Sequence, residues 1–184
     1  MDILSHTEKF LIKKSDSTIL IVIFGTVYLI SQMIIGSIIY PLGTLDALRL
    51  QTTMSSDTFK AIASGWIASG QIRLYYDHFR LDNLHPLWYS IFLSLVIART
   101  FKINHMNPKF NFIILTPFVA AICDYFENMM HLYFLADLNR ATPVWVACSG
   151  LATNIKWALA GLGVVTIIIM MMIWFVDTFM RKRQ

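Results

Sequence analysis

The chain has 184 residues, of which 57% are hydrophobic and only 14% are charged. A water-soluble domain carries about 25% charged residues, so this composition excludes an ordinary soluble protein and indicates a chain embedded in lipid. The formal net charge of +4 does not indicate a nucleic-acid partner, because much of the positive charge flanks the apolar segments, where membrane insertion requires it.

The first apolar segment, residues 18–40, contains no charged residue and is followed by Pro41. A helix needs about 20 apolar residues to cross the hydrocarbon core, so this segment predicts the first membrane span. It has no small-residue cleavage pattern, and we therefore interpret it as a retained span rather than a cleaved signal. Gly25 and Gly36 are expected to let another helix approach closely.

The next segment, residues 42–82, is too long for a simple turn. Ser55 is a candidate N-cap before apolar residues at helical spacing, and a second amphipathic stretch begins at Gln71. We predict one or two amphipathic helices on the outer membrane face, separated near residues 69–70, with a partly ordered external loop as the alternative. Four polar residues of this segment are expected at the solvated surface: Asp46, Arg49, Asp77 and His78.

Three more apolar segments predict spans over residues 83–98, 110–136 and 143–176. Pro86 suits the first turn of its helix, where a missing N–H is tolerated. The last segment is longer than a bilayer core is thick, so it must tilt or project. The expected fold is all-α: an antiparallel four-helix bundle forming one membrane domain over residues 1–184, with the amphipathic helices outside.

The distribution of Lys and Arg predicts the orientation. Nine basic residues flank the spans on one side: Lys9, Lys13, Lys14, Arg99, Lys102, Lys109, Arg181, Lys182 and Arg183. On the other side, five basic residues are balanced by five Asp residues: Arg49, Lys60, Arg73, Arg80 and Arg140 against Asp46, Asp57, Asp77, Asp82 and Asp137. The positive-inside rule therefore predicts that both termini are cytoplasmic.

A polar cluster interrupts the third span. Asp124, Glu127, Asn128 and His131 occur at i, i+3, i+4 and i+7, so they share a helix face roughly 100° wide. Each ionised group costs at least about 2.5 kcal/mol near the bilayer centre, so this face is expected to point into the bundle. Lys156 in the fourth span is the expected counter-ion of Asp124 or Glu127.

Polar residues of other segments are expected at the same depth, in the outer half of the bundle. The predicted acid/base candidates are Asp124, Glu127 and His131. The predicted ligand-binding residues are Asp82, His85, Asn128, Ser149, Asn154 and Lys156. Two carboxylates held together in a low dielectric can divide the roles of acid and base.

Each of these residues also has a structural interpretation. The pair of Asp124 and Lys156 could fix helix register, and Asn128 and Asn154 could hydrogen-bond between helices. Glu127 and His131 have the i, i+4 spacing of a metal pair, but without an HExxH motif or a cysteine set we expect neither a metal nor a cofactor. The two cysteines are expected to be buried and unpaired: Cys123 and Cys148.

The sequence contains six short motifs: Leu45-Asp46, Tyr75-Tyr76, Leu81-Asp82, His85-Pro86-Leu87-Trp88-Tyr89, Asp124-x-x-Glu127-Asn128 and Lys156-Trp157. Together they resemble the motifs of a family of small four-span bacterial membrane proteins without an established activity. The resemblance covers about residues 40–160 and implies a bacterial inner-membrane protein. The architecture is also similar to that of the sterol-isomerase and sigma-2-receptor group, which has four spans, an extended outer segment and intramembrane acids facing a lipid-like ligand.

Two functional hypotheses follow. The first is a polar pocket in the outer half of the bundle that binds or converts a membrane lipid or lipid-like molecule. The second is a transport or assembly subunit whose charges relay protons or pair with a partner helix, in a homo-oligomer or with another membrane protein. A purely structural charge cluster is a third interpretation.

Overall fold

The computed structural model describes residues 3–181, and its side chains from Ser5 to Met180. This part of the chain is all-α, with 89% helix and no strand. Its helices are α1 Ile3–Lys14, α2 Thr18–Ile39, α3 Thr44–Thr52, α4 Ser56–Ala68, α5 Ile72–Asp82, α6 His85–Ile103, α7 Thr116–Ala136 and α8 Pro143–Arg181. Short 3-10 segments cover Tyr40–Leu42, Pro108–Leu115 and Leu138–Arg140. The basic residues Lys182 and Arg183 lie outside the described residues.

Four helical stretches within residues 3–181 are long and apolar enough to cross a membrane: Thr18–Leu42, His85–Ile103, Pro108–Ala136 and Pro143–Met180. Each of the four predicted spans therefore coincides with an apolar helix of sufficient length, with changed ends. The second is longer than predicted, because α6 continues as a helix through Arg99 and Lys102. The fourth continues to Arg181 and is about 58 Å long at 1.5 Å per residue.

Of the four long helices, α6 is central and contacts the other three, α2, α7 and α8. Helix α6 is the most buried of them and the least apolar, with a mean hydropathy of 1.2 against 2.6 for α8. A helix surrounded by protein can carry small polar residues, and Ser90, Ser94 and Thr100 are buried on α6. Gly25 of α2 allows one close approach, because a Cβ there would lie 2.8 Å from the Phe92 ring.

Residues 42–82, called the outer segment after their predicted position, form three helices rather than the one or two predicted. Helices α4 and α5 match the two helical stretches that the sequence predicted, and the Ser55 hydroxyl caps α4 by accepting a hydrogen bond from the Thr58 N–H. The break between them falls at Gly70, whose φ of +73° suits glycine. The additional helix, α3, is too short to give a clear periodic pattern in the sequence.

Helix α3 is fixed against the start of α8. Asn154 donates hydrogen bonds from Nδ2 to the backbone carbonyls of Thr52 and Gly150. A Cβ at Gly150 would lie only 2.2 Å from the Thr53 carbonyl oxygen, so glycine is needed where the two backbones meet. Ser56 of α4 also donates to the Ala141 carbonyl, at 2.6 Å. The outer helices are therefore attached to the end of the long-helix assembly.

Several expectations about individual residues were wrong. His78 is completely buried, because α5 packs against α2, α6 and α7 instead of lying on the surface. Cys148 is exposed and Cys123 is only partly buried. A Cβ at Gly36 would have no neighbour within 4 Å, so this glycine does not mark a close helix contact. Asp46 and Arg49 are exposed, as expected.

Candidate functional site

The centre of the site is an ion-paired triad between α7 and α8. Lys156 Nζ lies 3.0 Å from Asp124 Oδ1 and 2.6 Å from Glu127 Oε2, and all three residues are buried. The prediction that Lys156 is the counter-ion of one acid is confirmed and extended, since it pairs with both. One ammonium between two carboxylates leaves an excess of negative charge when all three groups are ionised.

The local sequence explains this geometry. Asp124, Glu127, Asn128 and His131 are all buried, as their shared helix face predicts, while the intervening Tyr125, Phe126 and Met129 are exposed. On α8, Ser149, Thr153 and Lys156 recur at helical spacing and are buried as well. Two polar stripes therefore face each other along the α7–α8 contact.

Helix α5 packs against one side of this site. Asn128 Nδ2 donates a hydrogen bond to the backbone carbonyl of Asp82, at 3.3 Å. The Asp82 carboxylate lies 3.8 Å from His78 Nε2, and its side chain keeps 13% exposure. Asp82 also interacts electrostatically with Lys156 and Glu127. It is thus a partly exposed acid next to the buried triad.

Burial shifts the titration of the groups on α5. It lowers the pKa of His78 to about 4, so this imidazole is neutral near pH 7. Burial is also the main cause of the raised pKa of the Asp82 carboxyl, which the charge of Lys156 partly opposes. The pKa of the Tyr75 phenol rises well above its usual value for the same reason, so Tyr75 stays protonated.

His131 lies beside the triad in a separate aromatic layer. Its Nδ1 is hydrogen-bonded with the Tyr75 hydroxyl at 2.9 Å, and its ring packs against Phe59 with centroids 5.3 Å apart. Among the described residues, no hydrogen bond or ion pair joins His131 to Asp124, Glu127 or Lys156. The predicted acid/base candidate therefore contacts the outer segment rather than the acids.

His85 belongs to the α2–α6 contact. Ser31 donates its single hydroxyl proton to the Tyr28 carbonyl, so the 2.8 Å contact between Ser31 Oγ and His85 Nδ1 has the imidazole as donor. The His85 ring also packs near Tyr28 and Tyr89. Tyr89 in turn interacts electrostatically with Asp124, although its hydroxyl has no hydrogen-bond partner within the described part of the chain.

The other predicted residues divide into two groups. Ser149 is buried in the α8 stripe, and its hydroxyl has no hydrogen-bond partner within the described part of the chain. Asn154 is exposed and bound to backbone carbonyls of α3 and α8, so it connects helices and does not join the cluster. Within residues 3–181, no three His, Cys, Asp or Glu side chains are placed so that they could hold a metal ion.

Three residues near the site were not predicted: Tyr75, His78 and Tyr89. Tyr75, His78 and Asp82 occur at i, i+3 and i+7, the same helical spacing that identified the α7 cluster. That signal was available, but it lay in a segment interpreted as a surface helix. Tyr89 offered no comparable signal, because its neighbours on α6 are mostly apolar.

Comparisons of the chain with models of protein families, with curated proteins and with solved structures find no match. The family resemblance of the short motifs therefore stays a prediction.

Proposed function

We propose that the chain is an integral protein of a bacterial inner membrane whose outer half holds a polar site that binds or converts a lipid-like molecule. In this proposal α2, α6, α7 and α8 form an antiparallel four-helix bundle with both termini in the cytoplasm. Four apolar helices of sufficient length support the membrane location. Contacts, charge and hydrogen-bonding chemistry support the topology and the polar site.

Contacts at one end of the long helices support the topology. Lys102 at the end of α6 binds Asp16, between α1 and α2, with Nζ 2.6 Å from Oδ2. Asn104 donates a hydrogen bond to the Met170 carbonyl of α8, at 3.0 Å. The N-terminal region, the α6–α7 connection and the late part of α8 thus share one end, as an even number of antiparallel crossings requires. The basic residues that flank this end of the helices favour a cytoplasmic location for it.

The observation that carries the function is the incomplete hydrogen bonding of buried polar atoms in and beside the triad. Glu127 Oε1, Asn128 Oδ1 and the Ser149 hydroxyl are buried and have no partner within the described part of the chain. Buried polar atoms in folded proteins are nearly always paired, and a charge cluster that served only stability would be expected to satisfy its own atoms. We infer that these atoms contact a bound molecule.

The apolar packing on the cytoplasmic side of the triad supports a site that is reached from the outer leaflet. Between the triad and the cytoplasmic end, the helices are packed through an apolar cluster that includes Leu95, Ile97 and Ile114. A lipid-like molecule entering from the outer side would place its polar group at the triad and its apolar part along the helices. If the molecule is converted, Glu127 or Asp124 would accept a proton, and Lys156 would stabilise developing negative charge.

A proton relay is the second candidate, because His78 Nε2 and the Asp82 carboxylate lie 3.8 Å apart between the outer surface and the triad. The same apolar cluster opposes a complete relay across the membrane, since it offers few groups that could pass a proton onward.

The lipid proposal is tested by the lipids that copurify with the protein. The wild type, Glu127→Gln and Asp46→Asn are purified in the same detergent, and their extracted lipids are quantified by mass spectrometry. Glu127→Gln keeps the shape of the side chain and removes its charge, so we expect a retained lipid species to be lost at an unchanged Tm. Asp46 is an exposed acid and serves as the control. Identical lipid content in all three proteins would contradict the proposal.

A further inference from the structure

The unpaired buried atoms around the triad share one chemical property. Asn128 uses Nδ2 to donate to the Asp82 carbonyl, so its free amide atom, Oδ1, is an acceptor. Glu127 accepts a hydrogen bond from Lys156 Nζ at Oε2, and its free atom, Oε1, is also an acceptor. Neither atom can bind a carbonyl or phosphate oxygen of a ligand unless that oxygen carries a proton.

His78 supplies a third acceptor. Its Nδ1 faces the Tyr75 backbone carbonyl, which can only accept, so the ring proton is on Nδ1. Because burial lowers the pKa of His78, the ring is neutral and Nε2 carries a lone pair. Nε2 is buried and has no hydrogen-bond partner among the described residues. Among the described residues, the other buried side-chain atoms without a hydrogen-bond partner are three hydroxyls, which can donate or accept: those of Tyr89, Ser94 and Ser149.

The region around the triad carries an excess of negative charge, which suits a positively charged ligand that donates hydrogen bonds. Asp124 and Glu127 share the single ammonium of Lys156, and the Asp82 carboxyl lies close enough to interact with both Glu127 and Lys156. A second cation would balance the remaining negative charge, whereas an anionic group would add to it. Asp82 keeps 13% exposure of its side chain, so the region can be reached from the outer side.

We propose that Glu127 Oε1, Asn128 Oδ1 and His78 Nε2 bind a primary ammonium group, presented by an aminolipid headgroup or by a free amine. A primary ammonium has three N–H donors and one positive charge, which match three acceptors and an acidic surround. A quaternary ammonium has no N–H, and a phosphoglycerol headgroup has no positive charge. This proposal rests on the proposed lipid-binding function and specifies its ligand.

The first arm of the test measures lipid selectivity. The protein is reconstituted in nanodiscs containing equal amounts of phosphatidylethanolamine, phosphatidylcholine and phosphatidylglycerol, and the lipids it retains on release are counted by native mass spectrometry. We expect a several-fold preference for phosphatidylethanolamine that is lost in Glu127→Gln and in Asn128→Leu and is kept in Asp46→Asn. Only variants with a wild-type Tm are compared, and His78→Phe replaces Asn128→Leu if the latter fails to fold.

The outcomes separate the two proposals. If phosphatidylcholine or phosphatidylglycerol is retained equally well, and Glu127→Gln abolishes this retention, the ammonium proposal is overturned and the lipid site stands. If Glu127→Gln changes the retention of no lipid, the proposed lipid site is contradicted, and so is an ammonium site occupied by an aminolipid.

The second arm distinguishes the source of the ammonium group. Ethanolamine or choline is added in solution to protein in phosphatidylglycerol nanodiscs, and the Tm is measured. A rise with ethanolamine alone, absent in Glu127→Gln, supports the ammonium site with a free amine as its source. Preference for phosphatidylethanolamine without any response to ethanolamine assigns the source to the lipid. If ethanolamine acts no differently from choline and phosphatidylethanolamine is not preferred, the ammonium site is contradicted.

Discussion

The Tyr75 hydroxyl lies 2.9 Å from His131 Nδ1 and joins the outer helix α5 to the polar face of α7. Both side chains are buried, and Tyr75 also packs against Trp66 with ring centroids 5.0 Å apart. Helix α5 is therefore held against the span that carries the acids. Helix α5 is therefore part of the candidate site.

The replacement Tyr75→Phe removes this hydrogen bond and leaves the buried His131 Nδ1 without a partner. An unsatisfied buried polar group costs about 1–3 kcal/mol, so the free energy of unfolding should fall by that amount. Tyr76→Phe is the matched control, because Tyr76 is exposed on the same helix. Thermal unfolding in detergent measures both. Equal Tm values for the two variants would show that the Tyr75–His131 bond does not stabilise the fold.

The low pKa of His78 predicts an acid-dependent loss of stability. Between about pH 6.5 and pH 4, the unfolded chain binds a proton at His78 and the folded protein does not, so stability falls as the pH falls. The full contribution over this window is about 3 kcal/mol. The raised pKa of Asp82 acts in the opposite direction, since the folded state then favours the protonated carboxyl.

The variant His78→Gln isolates the contribution of His78. Its stability should decrease less than that of the wild type between pH 7 and pH 4, because the other titrating groups are common to both proteins. Chemical denaturation at several pH values gives the difference. Parallel pH profiles for the two proteins would contradict a buried neutral His78.

Lys156→Met should destabilise the protein by about 3–5 kcal/mol, because it leaves two buried carboxylates without a counter-ion. Lys156 pairs with both acids, so a double variant that neutralises only Lys156 and Asp124 would still leave the Glu127 carboxylate unpaired. The triple variant Asp124→Asn, Glu127→Gln and Lys156→Met removes every charge of the triad and should lose less stability than Lys156→Met. Lys9→Met, at an exposed position, is the control. A triple variant less stable than Lys156→Met would contradict the ion-pair description.

The proposed orientation is tested by thiol labelling. Cys123 and Cys148 are first replaced by Ala, because Cys148 is exposed and would react. Single cysteines are then introduced at Asp57, Asn139 and His6, which are exposed in the structure. An impermeant thiol reagent added to intact cells should label the first two positions, and label His6→Cys only after the cells are opened. The reverse pattern would invert the topology.

The sequence predicted those parts of the molecule in which lipid imposes a simple rule. Uncharged runs of sufficient length identified the four apolar helices, and the cost of charge in hydrocarbon identified the buried face of α7. The same reasoning failed for α5, where Tyr75 and His78 are buried by other helices rather than by lipid. Asn154 was assigned to the site by its position in the sequence, but its side chain meets the backbone of α3, a contact that depends on how the helices pack.

The most direct test is an experimental structure of the protein in a lipid nanodisc, at a resolution that shows headgroups. We expect density for the polar group of a bound molecule within hydrogen-bond distance of Glu127 Oε1 and Asn128 Oδ1, about 2.7–3.2 Å, with its apolar part extending between the helices. If Glu127 and Asn128 instead meet only protein side chains, and lipid contacts only the outer surface of the helices, the polar cluster is structural and the proposed site does not exist.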